Sequence, residues 1–194
     1  MFFTRRVLIA AAVSALSLAT LNPSLADDAN TMTIKLKDGD VKIELLPDLA
    51  PKHVEQIKAL AKEGAYDNVV FHRVIPGFMA QTGDVQYGNT GKGYNAQAVG
   101  TGGSTRPDIP AEFSKEPFVR GVVGMARAQN PNSANSQFFI MFTEYPSLNG
   151  EYTVVGKVTS GMEFIDKIKK GSEANNGTVD NPDKMIKVTV GSGK

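Results

Sequence analysis

The chain has 194 residues, 41% of them hydrophobic and 21% charged, with a formal net charge of +1. That length suits one domain with a sizeable core, and near-neutrality gives no sign of a broad nucleic-acid or membrane-binding surface. There is no cysteine, which excludes disulfides, thiol nucleophiles, cysteine–zinc sites and a lipoprotein anchor.

The chain starts MFFTRRVLIAAAVSALSLATLNPSLADDA. Arg5 and Arg6 form a basic start, and Val7 to Leu21 is an apolar run too short to cross a bilayer. Ser24 and Ala26 place small residues at the two positions that leader cleavage requires. This predicts a signal peptide over residues 1–26 and a domain over 27–194. The predicted location is periplasmic, or secreted where there is no outer membrane. TRRVLI matches only part of a twin-arginine signal, so the general export route fits better. Loss of the leader leaves 19 basic against 20 acidic side chains.

MTIKLKDGDVKIELL (32–46) reads as two alternating strands around an Asp38-Gly39 turn. Asp48 is placed to cap a helix entered through Pro51, with Val54, Ile57 and Leu60/Ala61 on its apolar face and Gly64 as its stop. Lys52 and His53 read as solvated positions of that helix. VVFHRVI and FMAQT form a hairpin around Pro76-Gly77. Alternation puts Phe71, Arg73 and Ile75 on one face, opposite Met79 and Gln81. Arg73 is the anomaly, because a charged group rarely sits among apolar neighbours without a partner or a snorkelling route.

Residues 85–110 are rich in glycine and turn formers. GVVGMARA (121–128), SQFFIMF (136–142) and YTVVGKVT (152–159) read as three more strands. GMEFIDKIKKG (161–171) reads as a short helix, with Lys167, Lys169 and Lys170 as a cluster at its C-terminus. KMIKVTV (184–190) reads as a closing strand. The absence of a β-α rhythm points to an all-β-dominated fold, a closed eight-stranded antiparallel barrel capped by two α-helices.

The common catalytic constellations are missing. There is no G-x-S-x-G elbow, no H-E-x-x-H and no Walker sequence. GKGYNA (91–96) mimics a dinucleotide fingerprint, but no strand leads into it and no helix follows. No cofactor is predicted. What remains suits a reaction in which no covalent bond breaks. Rotation about an X–Pro amide faces a barrier of about 18–20 kcal/mol, set by resonance between nitrogen and carbonyl. In the twisted transition state the nitrogen regains its lone pair, so a fixed donor there favours that state over the planar one. Arginine supplies such a donor without proton transfer. Uncatalysed turnover takes roughly tens to hundreds of seconds, so millisecond turnover requires lowering the barrier by about 7 kcal/mol. A charge-assisted hydrogen bond contributes about 1.5–3 kcal/mol of this, and gripping the desolvated twisted form must contribute the rest.

FHRVIPGFMAQTGD (71–84), GTGG (100–103), GMARA (124–128), NSQFFI (135–140) and LNGEYTVVGKV (148–158), in that order, closely resemble the cyclophilin-type peptidyl-prolyl isomerases. The resemblance runs from about residue 31 to 190. It implies an X–Pro peptide bound on the outer face of the barrel, with Arg73 donating to the prolyl nitrogen. Phe78, Met79, Phe139 and Leu148 resemble the proline pocket; taken singly, each reads as an ordinary core residue. Gln81 resembles the glutamine that holds the peptide and orients the arginine, and Gln137 also lies at the site. Gly100 lines the neighbouring groove, and Ala126, Arg127 and Ala128 resemble the strand that pairs with the substrate backbone. His72 belongs to the motif and reads as structural packing.

The chain departs from the best-known eukaryotic pattern. Ser147 replaces a tryptophan, Tyr152 replaces a histidine at the site, and Arg127 stands where asparagine is frequent. The Ser147 replacement implies weak cyclosporin A binding. The stretch between Asp84 and Gly100 is about ten residues longer than in compact members, as a surface elaboration or a substrate-selecting lip. The expected partners are extended or unfolded X–Pro polypeptides, met as a monomer, with no nucleic acid and no membrane once the leader is gone. The competing reading is a peptide-binding chaperone or scaffold that uses the same groove without turnover. Arg73 separates the two, since a pure binder has little use for a donor at the prolyl nitrogen.

Overall fold

The β-branched and aromatic runs do fold as strands. A computed structural model describes residues 29–191. The first hairpin pairs β1 (Thr31–Lys35) with β2 (Asp40–Leu45), Ile34 opposite Val41 and Met32 opposite Ile43. All four side chains are fully buried, because the period of two sends every second residue inward. Next come α1 (Pro51–Lys62), β3 (Val69–Val70), β4 (Arg73–Ile75) and β5 (Met79–Thr82). A long irregular stretch leads to β6 (Val122–Met125) and β7 (Phe138–Met141). The chain closes with β8 (Val154–Ser160), α2 (Met162–Lys167), β9 (Lys184–Met185) and β10 (Lys187–Val190).

Eight strands form one curled antiparallel sheet in the order β10-β1-β2-β8-β6-β7-β5-β4. Its two ends, β4 and β10, do not pair with each other. Their immediate precursors β3 and β9 do, as a separate two-stranded ribbon with Val69 opposite Met185. Backbone bonds from Asn68 N–H to the Met185 carbonyl (2.7 Å) and from Phe71 N–H to the Asp183 carbonyl (2.8 Å) extend that join. The eight strands thus form a curled sheet whose ends are linked by a separate ribbon, and no continuous ladder closes it among the described residues.

The predicted strand VVFHRVI is broken between β3 and β4, and the break reverses the inward side. Val69 and Phe71 face the interior, but so does Val74, which puts Arg73 and Ile75 outside. Phe71 thus does not share a face with Arg73, as strict alternation required. The interior is packed by Tyr66, Phe71, Phe138, Ile140 and the β1–β2 aliphatics. Outside β5 to β7 lies a second apolar cluster of Met79, Phe118, Val122, Phe139, Met141 and Val154. Apolar burial on both faces explains why SQFFIMF reads as an unbroken hydrophobic run.

Helix α1 buries Val54, Ile57, Leu60 and Ala61 as its pattern required. Its start differs from expectation. Ala50, not Asp48, holds the capping position and supplies no side chain. The carboxylate of Glu112 accepts the N–H groups of Lys52 (3.2 Å) and His53 (3.1 Å) instead. The same carboxylate meets His53 Nδ1 at 2.6 Å. His53 is accordingly buried, not solvated; a distant loop covers the first turn and brings its own acceptor. Helix α2 ends at Lys167, four residues short of the predicted stop, because Ile168 turns extended and Lys169 N–H bonds to Asp183. Lys167 is in its last turn, and Lys170 reaches back to the Asp166 carbonyl. Lys169 lies outside the charge cluster and bonds to the Asp180 carbonyl.

His72 sits at the break between β3 and β4, only 6% exposed, with neither ring nitrogen hydrogen-bonded. Burial pushes its pKa down to about 4, with the nearby Asp84 opposing the shift. In the unfolded chain an imidazole titrates near 6.5. A depressed folded pKa leaves stability intact above about 6.5 and removes it progressively as pH falls towards 4, in total roughly 3 kcal/mol. His72→Gln should therefore flatten the decline in melting temperature between pH 7 and pH 4.5. Parallel declines in wild type and variant would show that His72 is not buried neutral.

Candidate active site

Strand register places the anomalous arginine. Arg73 on β4 lies directly opposite Gln81 on β5, which lies opposite Phe139 on β7, which lies opposite Gly124 on β6. One transverse row on the outer wall thus carries a cation, an amide, an aromatic ring and no side chain at all. That last position is occupied by its neighbours: a Cβ on Gly124 would come within 2.5 Å of the Phe139 ring and 2.6 Å of Phe118. Glycine lets both rings lie on the sheet, 5.7 Å apart and nearly parallel. Tyr152 meets the edge of Phe139 at 5.7 Å, and the Arg127 guanidinium lies 4.5 Å above the Tyr152 ring. Arg127 is held there by the carbonyls of Ala128 (3.0 Å) and Glu151 (3.0 Å).

These side chains enclose a hollow of about 180 Å³ lined by Arg73, Phe78, Met79, Gln81, Ala126, Arg127, Phe139, Leu148 and Tyr152. At about 30 Å³ per water, it has room for a small ring and not for a length of chain. A second hollow of about 390 Å³ shares Gln81, Ala126 and Arg127 and adds Gly100, Ala128 and Gln137. The structure thereby brings all twelve residues singled out in the sequence into two adjoining hollows on one face. Phe118 and Asn176, absent from that set, belong to the same neighbourhood. Phe118 lies in a loop with no pattern to mark it, and Asn176 lies 103 residues from Arg73 in the chain.

The polar groups form a directed chain. Arg73 Nη1 donates to Gln81 Oε1 (3.2 Å), and Gln81 Nε2 donates to Gln137 Oε1 (2.9 Å). Gln137 Nε2 donates in turn to the carbonyls of Gly100 (3.0 Å) and Gly102 (2.8 Å). Both of those residues are pinned from behind, since buried Asp84 accepts their N–H groups at 2.7 and 3.0 Å. The guanidinium is gripped on its other side by Asn176, whose carbonyl accepts from Nε (3.0 Å) and whose Oδ1 accepts from Nη2 (2.9 Å). Three of its five N–H groups are thus engaged. Met79 Sδ, 3.9 Å from Nη1, is a weak further partner, so donor capacity remains for a ligand. Partial burial lowers the Arg73 pKa, but from so high a starting value that the group stays charged.

A larger hollow, of about 1010 Å³, opens at the β3–β9 seam. Tyr94, Ala96 and Val99 of the 85–99 stretch line it, whereas no residue of that stretch lines either hollow beside Arg73.

Residues 31–190 match the family described as cyclophilin type peptidyl-prolyl cis-trans isomerase/CLD. A probable peptidyl-prolyl cis-trans isomerase of Brucella suis is 70% identical over 191 residues, spanning 98% of this chain and 97% of the relative. The human peptidyl-prolyl cis-trans isomerase-like 3 is 41% identical over 140 residues, spanning 72% of this chain and 82% of the relative. The crystal structure of a cyclophilin from Hirschia baltica superposes with a TM-score of 0.70 at 25% identity, over 84% of this chain and 74% of that one. A Cryptosporidium parvum cyclophilin, crystallised in the presence of the dipeptide Ala-Pro, superposes with a TM-score of 0.69 at 30% identity, over 84% of this chain and 99% of that one. With the family match spanning nearly all the described residues, the chain belongs to the cyclophilin-type peptidyl-prolyl cis-trans isomerases.

Proposed function

We propose that Arg73 is the catalytic group, and that it acts on an X–Pro bond whose proline ring fills the hollow floored by Phe139. The single observation that carries this is a clamped guanidinium, with donors to spare, at the edge of a cavity sized for a small ring and walled by Phe78, Met79, Phe139 and Leu148. With proline in that cavity, its nitrogen lies towards Arg73. The planar amide offers that nitrogen's lone pair to the carbonyl; the twisted one offers it to the guanidinium. The bond from Arg73 thus strengthens as the amide rotates. No proton has to move, so a permanently charged donor suffices. Leu148 and Phe78 wall the ring, and the segment Ala126–Ala128, where β6 leaves the sheet, faces the substrate backbone. That the Cryptosporidium relative was crystallised in the presence of Ala-Pro supports proline-containing peptides as ligands here.

Arg73→Ala should lower kcat/KM by about a hundredfold or more, corresponding to about 2.7 kcal/mol. Arg73→Lys should lose most activity as well, because an ammonium on a flexible stem cannot occupy the same fork. Peptide affinity and melting temperature should change little. Exchange NMR on an X–Pro peptide, calorimetry and thermal melting on one preparation separate the possibilities. Wild-type turnover by folded Arg73→Ala would end the assignment of Arg73 as the catalytic group.

The ligand profile follows from the rim. Ser147 is exposed in the 3-10 turn Pro146–Leu148 and offers neither an indole N–H nor a flat apolar surface. Losing one such aromatic contact costs about 2 kcal/mol, roughly thirtyfold, at a binding hot spot. Cyclosporin A should bind weakly and Ser147→Trp should tighten it; low-nanomolar affinity of the unaltered protein in a titration would contradict this.

The enzyme's clients are, on this reading, exported polypeptides, met as a monomer in a periplasm-like compartment. The support is the leader pattern of residues 1–26, which lies outside the described residues. N-terminal sequencing of exported protein should give Asp27 as the first residue, and a soluble cytosolic pool starting at Met1 would overturn the export assignment.

A further inference from the structure

The 171–179 segment is stapled to β4 on both sides of Arg73 by the backbone alone. The Val74 N–H donates to the Gly177 carbonyl (2.8 Å), the Val74 carbonyl accepts from Gly171 N–H (2.9 Å), and the His72 carbonyl accepts from Val179 N–H (3.1 Å). Within it, a 3-10 turn at Glu173–Asn175 delivers Asn176 in the left-handed conformation, φ 52° and ψ 33°. Asparagine is among the few residues with a side chain that tolerate this region. The conformation turns two oxygens of one residue onto one guanidinium: the carbonyl onto Nε (3.0 Å) and Oδ1 onto Nη2 (2.9 Å). Gln81 Oε1 holds Nη1 from the opposite side at 3.2 Å. Gln81 is itself tied into the sheet through Gln137, whereas among the described residues no other side chain holds the Nε–Nη2 edge.

From this geometry we infer that Asn176 is the positioning residue of the catalytic arginine. It fixes rotation about the last bonds of the Arg73 side chain, so that the free N–H groups face the proline hollow before substrate arrives. The inference rests on the catalytic assignment of Arg73. Its chemistry is preorganisation. A long side chain held at one end only samples several rotamers, and each unproductive one subtracts from the transition-state interaction without affecting the pocket that binds the ring. The effect therefore belongs in kcat and not in KM.

Three variants isolate the side-chain oxygen. Asn176→Gly keeps the left-handed backbone and its carbonyl but removes Oδ1. Asn176→Asp keeps an acceptor at the same place. Arg73→Ala controls for the underlying assignment. The expected result for Asn176→Gly is a fall in kcat of about tenfold, with KM within about twofold and the melting temperature unchanged. Asn176→Asp should restore kcat to within about threefold of wild type. In ¹⁵N spectra the Arg73 Nε–H should show a lower order parameter in Asn176→Gly than in wild type or Asn176→Asp. Wild-type kcat in Asn176→Gly, alongside an inactive Arg73→Ala, would overturn the positioning role and leave the catalytic arginine in place. A joint rise in KM and fall in melting temperature would overturn it in favour of a merely structural loop contact. Equal slowing in Asn176→Gly and Asn176→Asp would do the same. Full activity in Arg73→Ala would remove both.

Discussion

A guanidinium is a useful donor to a pyramidal nitrogen only if it does not have to be aimed at the moment of reaction. On the proposed mechanism that constraint organises the groove. Arg73 is held along one edge by Asn176 and along the other by Gln81, and the hold on Gln81 passes through Gln137 to Gly100, Gly102 and the buried carboxylate of Asp84. Every amide in the series has one orientation that satisfies it, so the chain has a direction as well as a path. Satisfied, partly buried networks of this kind rigidify, because breaking one member leaves the next without its partner.

The platform beneath comes from a sheet whose two faces are both apolar. Inward, β5 and β7 contribute Ala80, Phe138 and Ile140 to the barrel interior; outward, they contribute Met79, Phe139 and Met141 to a second cluster. Phe118 comes over from a loop to stack on Phe139, with Gly124 making room for both rings. The small hollow beside Arg73 is thus a dimple in a packed surface and not a cavity in the core. Substitutions at its rim can change what it accepts without touching the interior that holds the barrel together. Arg127 shows the same economy: its charge rests on the Tyr152 face and on backbone carbonyls, and its stem completes the wall.

Two details of the scaffold show how much covering matters. Glu112 reaches the start of α1 from a distant loop, caps two N–H groups and meets His53, so that an end with no capping residue of its own is satisfied once the loop packs over it. At the seam, the ribbon of β3 and β9 joins sheet ends that do not pair directly, and the break that frees β3 for this task also turns Arg73 outward. A continuous strand through Phe71 and His72 would have put Phe71 and Arg73 on one side, and one of them would have been misplaced. The same break encloses His72, whose ring packs against the backbone of Gly100.

Local order was legible in the residues. Alternation gave the first hairpin, Pro76-Gly77 the second, and the spacing of Val54, Ile57, Leu60 and Ala61 the buried face of α1; these signals act over a few residues and need no partner to be read. The run of motifs from FHRVIPGFMAQTGD to LNGEYTVVGKV also carried the family and the twelve groove residues, whose spacing reflects strand register across one wall. The sequence by itself therefore determined the strands, the chemistry on offer and the arginine. It could not assign the acceptors. Asn176 is 103 positions from Arg73, Glu112 is 59 from His53, and Phe118 lies 21 from Phe139 in a loop without periodicity. Only tertiary structure decided which oxygens face the guanidinium, that His53 is covered, and that Phe71 points inward. The physical reason is that patterning encodes which side of a strand is dry, whereas hydrogen-bond partners and covering loops depend on where distant segments close over one another.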